Sequence, residues 1–294
     1  MTSIVAACAS PATTALPTLA PTPTSSPTAV PTSSPAPGPS FTVRSSETAD
    51  GVTVLDVSFD GGRPTDAYLV QPESAAAGSA AGILWFHWLE TGAPTSNRTE
   101  FLDEARQLAG NGVVSVLVDG TFPWREAPDS TEHDRQAIED ELTMLRAAYE
   151  LLLSQPAVDS TRTALVGHDF GAMYSSVMVA ADQRPKALAM MAPTARWADW
   201  FYRYWLISDE EAAYKAALEP FDPVTALTQA GGRPVLLQFA ALDQFVPEDV
   251  ADEIAAAAGA GAERLTYDAG HELDEAAMAD RDAWLAEQLQ LPSR

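Results

Sequence analysis

The sequence predicts an α/β domain, a mostly parallel central sheet flanked by helices, with a small aromatic-rich insertion. Three observations predict it. From residue 41 onward, short β-branched apolar runs alternate with amphipathic segments of helical period. The central runs are apolar at nearly every position, as strands covered by helices on both faces must be. The residues able to act as nucleophile, acid or base fall just after such runs, where open parallel sheets bind their ligands.

Taken in order, Phe41 to Arg44, Thr53 to Phe59 and Asp66 to Val70 read as opening strands, with a turn at Asp60-Gly61-Gly62. Gly82 to His87 is an apolar strand, Asn97 to Ala109 an amphipathic helix, Val113 to Val118 a buried strand, and Thr131 to Leu153 a long amphipathic helix. Arg162 to Gly167 forms the next strand and Ala172 to Ala181 its helix. Ala187 to Met191, Pro234 to Ala240 and Arg264 to Tyr267 complete the strands, with helices near Pro247 to Ala258 and Asp274 to Leu289. Between Pro193 and Pro234 the alternation breaks. Residues 196 to 205 hold six aromatic side chains in ten positions, too many to face one core. They form either a helix packed on the domain surface or a small cap that roofs a substrate pocket.

The first 40 residues contain no charged side chain, so all 17 basic and 41 acidic residues lie in the domain expected over residues 41 to 294. Residues 11 to 40 are dominated by Pro, Thr, Ser and Ala, which cannot bury apolar surface and favour an extended linker. Ahead of it, Val5-Ala6-Ala7-Cys8 resembles the lipobox of bacterial lipoproteins, although Met1 to Ile4 is shorter than an apolar signal core of about 7 to 15 residues. The resemblance implies lipidation at Cys8, extracytoplasmic display, and membrane attachment only through that anchor. Cys8 is the single cysteine, so no internal disulfide or cysteine metal site is available. A net charge of −24 argues against nucleic acid or an anionic membrane surface as partner. A small-molecule substrate is the expected partner.

The run Ala164-Leu165-Val166-Gly167-His168-Asp169-Phe170-Gly171-Ala172 reads as buried strand, sharp turn and small-residue helix start. That is the setting of a nucleophile elbow, with Asp169 where serine is usual. A carboxylate is anionic at neutral pH and suits displacement at saturated carbon, whereas serine must first be deprotonated and suits carbonyl carbon. Asp243 follows the strand from Pro234, and His271 follows the strand from Arg264. The order nucleophile, acid, histidine makes Asp169, Asp243 and His271 the candidate catalytic triad. Backbone N–H groups of Phe170 and Trp88 are the expected oxyanion donors. His87, Trp124, Trp200, Tyr202 and Tyr204 are the expected pocket side chains.

These motifs resemble the α/β-hydrolase superfamily over residues 41 to 294. The loops Ala241 to Pro247 and Ala269 to Glu272 are most similar to those of dienelactone-hydrolase-like esterases. The elbow Gly167-His168-Asp169-Phe170-Gly171 is similar to those of haloalkane dehalogenases and epoxide hydrolases. The resemblance implies a hydrolase forming an alkyl ester on Asp169, which water activated by His271 then cleaves. Phe170 departs from the tryptophan that dehalogenases carry after the nucleophile, and His87-Trp88-Leu89-Glu90 departs from the oxyanion loop of epoxide hydrolases. Carboxylic-ester or lactone hydrolysis and non-catalytic ligand binding stay open beside it. Asp169 can also be read as a lost nucleophile, and Asp243 as a helix cap with Asp222 or Asp199 as the acid in its place. His87 and His168 are expected as structural hydrogen-bonding groups and His133 as a solvated one. With four histidines so dispersed, no metal and no cofactor is implied.

Overall fold

The computed structural model describes residues 38–205, 207 and 209–292. Cys8 and nearly all of the expected linker lie outside the described residues. β1 (Phe41–Ala49), β2 (Val52–Asp60) and β3 (Pro64–Pro72) form an antiparallel meander. The other strands, β4 (Ala80–Phe86), β5 (Val113–Val118), β6 (Val158–His168), β7 (Ala187–Met191), β8 (Val235–Ala240) and β9 (Ala262–Tyr267), run parallel to one another in the spatial order β1-β2-β3-β5-β4-β6-β7-β8-β9. β4, β5, β7 and β8 are buried at every position, which is why they lack the period-two alternation of a half-solvated strand.

The helices are α1 (Leu102–Ala109), α2 (Thr131–Leu153), α3 (Phe170–Ala181), α4 (Trp197–Tyr204), α5 (Glu211–Leu218), α6 (Pro223–Leu227), α7 (Glu248–Ala258) and α8 (Glu275–Gln288). Successive strand residues point to opposite faces, so Leu84 and Phe86 enter one core with Tyr149, Met173, Tyr174 and Trp197. Ile83 and Trp85 enter the other with Phe101, Leu108, Trp284 and Leu285.

Three boundaries differ from the expected ones by four residues or more. β1 continues to Ala49 because Asp50 and Gly51, at φ of 51° and 76°, make the tight hairpin turn that joins it to β2. α1 begins at Leu102 instead of Asn97, because the Asn97 side chain accepts the Thr99 N–H at 2.9 Å and holds the chain in a turn. β6 starts at Val158, four residues earlier, where its first turn of sequence is polar and partly solvated.

Candidate active site

β6 delivers the chain to Asp169 and α3 leaves from Phe170. Asp169 sits at φ 54° and ψ −120°, a conformation costly for a residue with a Cβ. Tight packing holds it there. A Cβ on Gly171 would lie 2.1 Å from the Phe86 carbonyl oxygen, and one on Gly167 would lie 2.3 Å from that of Gly171. Glycine at both positions lets α3 pack directly against the ends of β4 and β6, which forces the Asp169 side chain up at the carboxyl edge of the sheet.

The structure brings Asp169, His271 and Asp243 together. Asp169 Oδ2 accepts the Leu89 N–H at 2.9 Å. Its Oδ1 is buried without a hydrogen-bond partner, 3.9 Å from His271 Nε2. His271 Nδ1 lies 2.7 Å from Asp243 Oδ2, so Nδ1–H donates and Nε2 is left as the basic nitrogen. Asp243 Oδ1 accepts the N–H groups of Phe245 and Val246 at 2.7 and 3.2 Å. The residue therefore orients the imidazole and ties down the start of α7 at once. Asp222 instead accepts the Trp197 N–H, and Asp199 lies beside Lys215 and Arg196.

Burial pushes the Asp169 carboxyl up to about 7, although the His271 charge and the N–H groups of Leu89 and Phe170 pull it down. Burial also raises Asp243, but the hydrogen bond and charge of His271 outweigh it and hold this carboxyl below its ordinary value. The two acids are thus tuned apart, Asp243 to stay ionised and Asp169 to be a stronger base than an exposed aspartate.

One of the two expected oxyanion donors does not face Asp169. Trp88 N–H points away from Asp169 and donates to Glu100 Oε2 at 2.7 Å, while Leu89 N–H takes the place beside the carboxyl. Phe170 N–H, the first of α3, acts on the same carboxyl. Glu100 Oε1 is 2.6 Å from His168 Nδ1, and His168 Nε2–H donates to the His271 carbonyl at 3.0 Å. Sequence reading did not single out Leu89 or Glu100.

A cavity of about 300 Å³ opens over Asp169 and His271, walled by Leu89, Phe170, Trp200, Tyr204, Trp205 and Phe245, with Glu90 and Thr91 at its edge. Of the expected pocket side chains, Trp200 and Tyr204 line it and three do not. His87 is buried, its Nε2 accepting the Gly120 N–H and its Nδ1–H donating to the Trp88 carbonyl, and burial lowers it to about 4. Trp124 donates its indole N–H to the same carbonyl at 2.7 Å, and Tyr202 turns away to donate to the Asp209 carbonyl. The aromatic segment serves both readings offered for it: Trp197 and Phe201 pack into the core while Trp200 and Tyr204 border the cavity. Among the described residues, Asp129, His133 and Asp134 bring metal-ligand atoms close together. Asp134 is already committed, its Oδ2 accepting the Tyr214 hydroxyl and its Oδ1 the Asp129 N–H and the His133 ring.

No protein-family model and no curated protein matches the sequence. Solved structures do match the fold. An acetyl xylan esterase from Paenibacillus sp. R4 aligns over 85% of this chain and 88% of its own, at TM-score 0.68 and 19% identity. Acetyl xylan esterase 1 from Thermoanaerobacterium sp. JW/SL YS485 aligns over 85% and 88%, at 0.63 and 17%. A putative dienelactone hydrolase from Klebsiella pneumoniae subsp. pneumoniae MGH 78578 aligns over 78% and 93%, at 0.57 and 17%. The strand order, the strained Asp169 turn between β6 and α3, and these alignments together give the chain the α/β-hydrolase fold.

Proposed function

We propose that the protein hydrolyses a small electrophile carrying its leaving group on saturated carbon, such as an alkyl halide or epoxide, through a covalent ester on Asp169. The observation that carries this reading is the division of labour within one carboxyl group. Oδ2 is held by the Leu89 N–H, while Oδ1 is unpartnered at the cavity wall. Oδ1 attacks the carbon, and the leaving group departs with the bonding electron pair. His271 Nε2 then takes a proton from water, whose oxygen adds to the Asp169 carboxyl carbon. The negative charge develops on Oδ2, which the Leu89 N–H already holds, with the Phe170 N–H acting on the same carboxyl, and one such donor is worth about 2.7 to 4 kcal/mol of barrier. Collapse expels the product alkoxide, which recovers the proton from His271; Asp169 is left as the carboxylic acid and returns to the carboxylate when His271 passes the second water proton to solvent.

A carboxylic-ester substrate fits less well. Its carbonyl oxygen would need the N–H that Asp169 itself occupies, and an acyl-Asp169 adduct would expel the carboxylate, a far better leaving group than an alkoxide. The esterase folds of the structural neighbours favour a second reading, in which Asp169 orients water as a general base on an ester or lactone. The two separate in one experiment with His271→Gln. Alkyl halides or epoxides small enough for a cavity of about 300 Å³ should add their alkyl mass to Asp169 and stop there, as read by intact-protein and peptide mass spectrometry. Turnover of short acyl esters by the unaltered protein, with no adduct from any alkylating substrate, would reverse the order of the two readings.

A further inference from the structure

We propose that Glu100 and His168 form a neutral buried brace that positions the Leu89 N–H and the His271 imidazole against Asp169. The brace rests on three contacts. Glu100 Oε2 accepts the Trp88 N–H at 2.7 Å, Glu100 Oε1 meets His168 Nδ1 at 2.6 Å, and His168 Nε2 meets the His271 carbonyl at 3.0 Å. Each contact fixes a reacting group or its chain neighbour. Trp88 precedes Leu89, His168 precedes Asp169, and the third contact is on the backbone of the base itself. The Trp88 ring also lies flat on His168, with centroids 5.1 Å apart at 10°, and its carbonyl is gripped by His87 and Trp124. With its N–H, ring and carbonyl all held, Trp88 leaves Leu89 N–H one direction, toward Asp169 Oδ2.

The proton inventory makes the brace neutral. The His271 carbonyl can only accept, so His168 Nε2 carries a hydrogen. The Trp88 N–H can only donate, so Glu100 Oε2 accepts. One proton remains for the contact between Oε1 and Nδ1, held as imidazolium with carboxylate or as carboxylic acid with neutral imidazole. His168 is 1% exposed and the Glu100 side chain 11%. The buried cation that acts on both groups, Arg281, is gripped in a two-pronged bond by Glu104 and donates its remaining arm to Gln238. A buried ion pair with no further donors or cations to solvate it costs more in desolvation than the neutral acid and neutral imidazole, so the proton stays on Glu100 and is donated to Nδ1. The surrounding groups agree. Burial lifts Glu100 well above its ordinary range against the pull of the Trp88 N–H, Arg281 and His271, with Glu104 pushing upward. Burial lowers His168 to about 3 despite the His271 carbonyl, Asp243 and Glu272.

A neutral brace makes a distinctive demand on substitution. Glu100→Gln reproduces it, since the amide donates to Nδ1 and accepts from Trp88 without any titratable proton. Glu100→Leu keeps the bulk and removes both bonds. The inference uses the covalent Asp169 reading only for its kinetic consequence, so the test has one arm that needs no substrate. Nitrogen NMR of the His168 ring should show one protonated and one bare nitrogen, unchanged between about pH 5 and about pH 9. Amide hydrogen exchange at Leu89 should speed up by about tenfold or more in Glu100→Leu, and stay within about threefold of the unaltered protein in Glu100→Gln, with sheet amides unmoved in both. In the kinetic arm, Glu100→Leu should slow hydrolysis of the Asp169 ester by about 100-fold, the cost of misplacing one oxyanion donor, while forming the ester within about tenfold of the normal rate. A doubly protonated His168 ring, or a Glu100→Gln variant as damaged as Glu100→Leu, overturns the neutral brace. Unchanged Leu89 exchange in Glu100→Leu overturns the positioning. Failure of every substrate to label Asp169 while the NMR and exchange results hold overturns the covalent reading alone.

Discussion

Asp169→Asn should make the protein more stable, by an amount that depends on pH. The folded carboxyl holds its proton up to about pH 7, whereas an exposed aspartate loses it near 3.8. Between those values the folded state binds more protons than the unfolded one, so raising the pH favours unfolding. Below about pH 4 both states are protonated, and the asparagine variant should match the unaltered protein. Above that the gap should widen by about 1.4 kcal/mol per pH unit and level off above about pH 7. Across about three pH units it reaches about 4 kcal/mol, an upper figure because the cavity admits some solvent relaxation. Asparagine fits the site, since its side-chain oxygen can still accept the Leu89 N–H. Urea unfolding of both proteins at a series of pH values measures the gap. A difference that does not vary between pH 4 and pH 7, or a variant less stable throughout, would refute the argument that burial of an uncompensated carboxyl is what raises Asp169.

The same ionisation should govern catalysis: the rate of Asp169 ester formation should rise about tenfold per pH unit below about pH 7 and flatten above it, in single-turnover measurements. Asp243→Asn should leave ester formation nearly intact and slow ester hydrolysis steeply, by up to about 10⁴-fold, because His271 loses the carboxylate that fixes its tautomer and supports its charge. Gly171→Ala should lower stability by about 1 to 3 kcal/mol and abolish labelling of Asp169, because its Cβ would drive α3 off the Phe86 carbonyl; thermal unfolding and mass spectrometry read both. Arg281→Met should cost about 3 to 5 kcal/mol in denaturant unfolding, since it strands the buried Glu104 carboxylate, and Arg281→Met with Glu104→Leu should recover most of that loss.

Much of the scaffold was legible in the sequence because burial on both faces writes itself into composition. β4, β5, β7 and β8 are apolar at nearly every position, and the crowding between Gly167, Gly171 and Phe86 demands the small residues that mark the elbow. The positions of Asp243 and His271 were legible for a related reason, since each follows a strand whose end the sheet aligns with Asp169. The N–H that faces Asp169 was not. Whether Trp88 or Leu89 turns its N–H toward Asp169 depends on Glu100, twelve residues downstream, capturing the first of them. The pocket lining was half legible. Trp197 and Phe201 are four apart and share the core side of α4, whereas Trp200 and Tyr204 are four apart and share the cavity side. Helical phase separates these pairs and also sends Tyr202 away from the cavity, a signal the sequence carried. His87 and Trp124 look like pocket residues by position, but their polar atoms are spent on the Trp88 carbonyl and the Gly120 N–H.

The two halves of the proposed reaction make opposite demands on one carboxyl group. As a nucleophile, Asp169 needs an electron-rich oxygen, and strong hydrogen bonds to it would weaken the attack. As an ester under attack by water, it needs an oxygen already surrounded by donors, because negative charge arrives there in the transition state. Symmetric solvation of the carboxyl would serve one step at the expense of the other. The elbow resolves this by asymmetry, with Oδ2 on the Leu89 N–H and Oδ1 left bare beside His271. The rise to about 7 follows from that choice, because an oxygen denied hydrogen bonds in a buried site holds its proton more tightly. Full donor coverage of Oδ1 would restore an ordinary acidity, and it would also quench the nucleophile. A hydroxyl introduced to reach Oδ1, for instance through Leu89→Ser, should therefore lower the pH at which ester formation levels off while reducing its plateau rate. A lower pH midpoint with an unchanged or higher plateau would show that the bare oxygen is not what drives the attack.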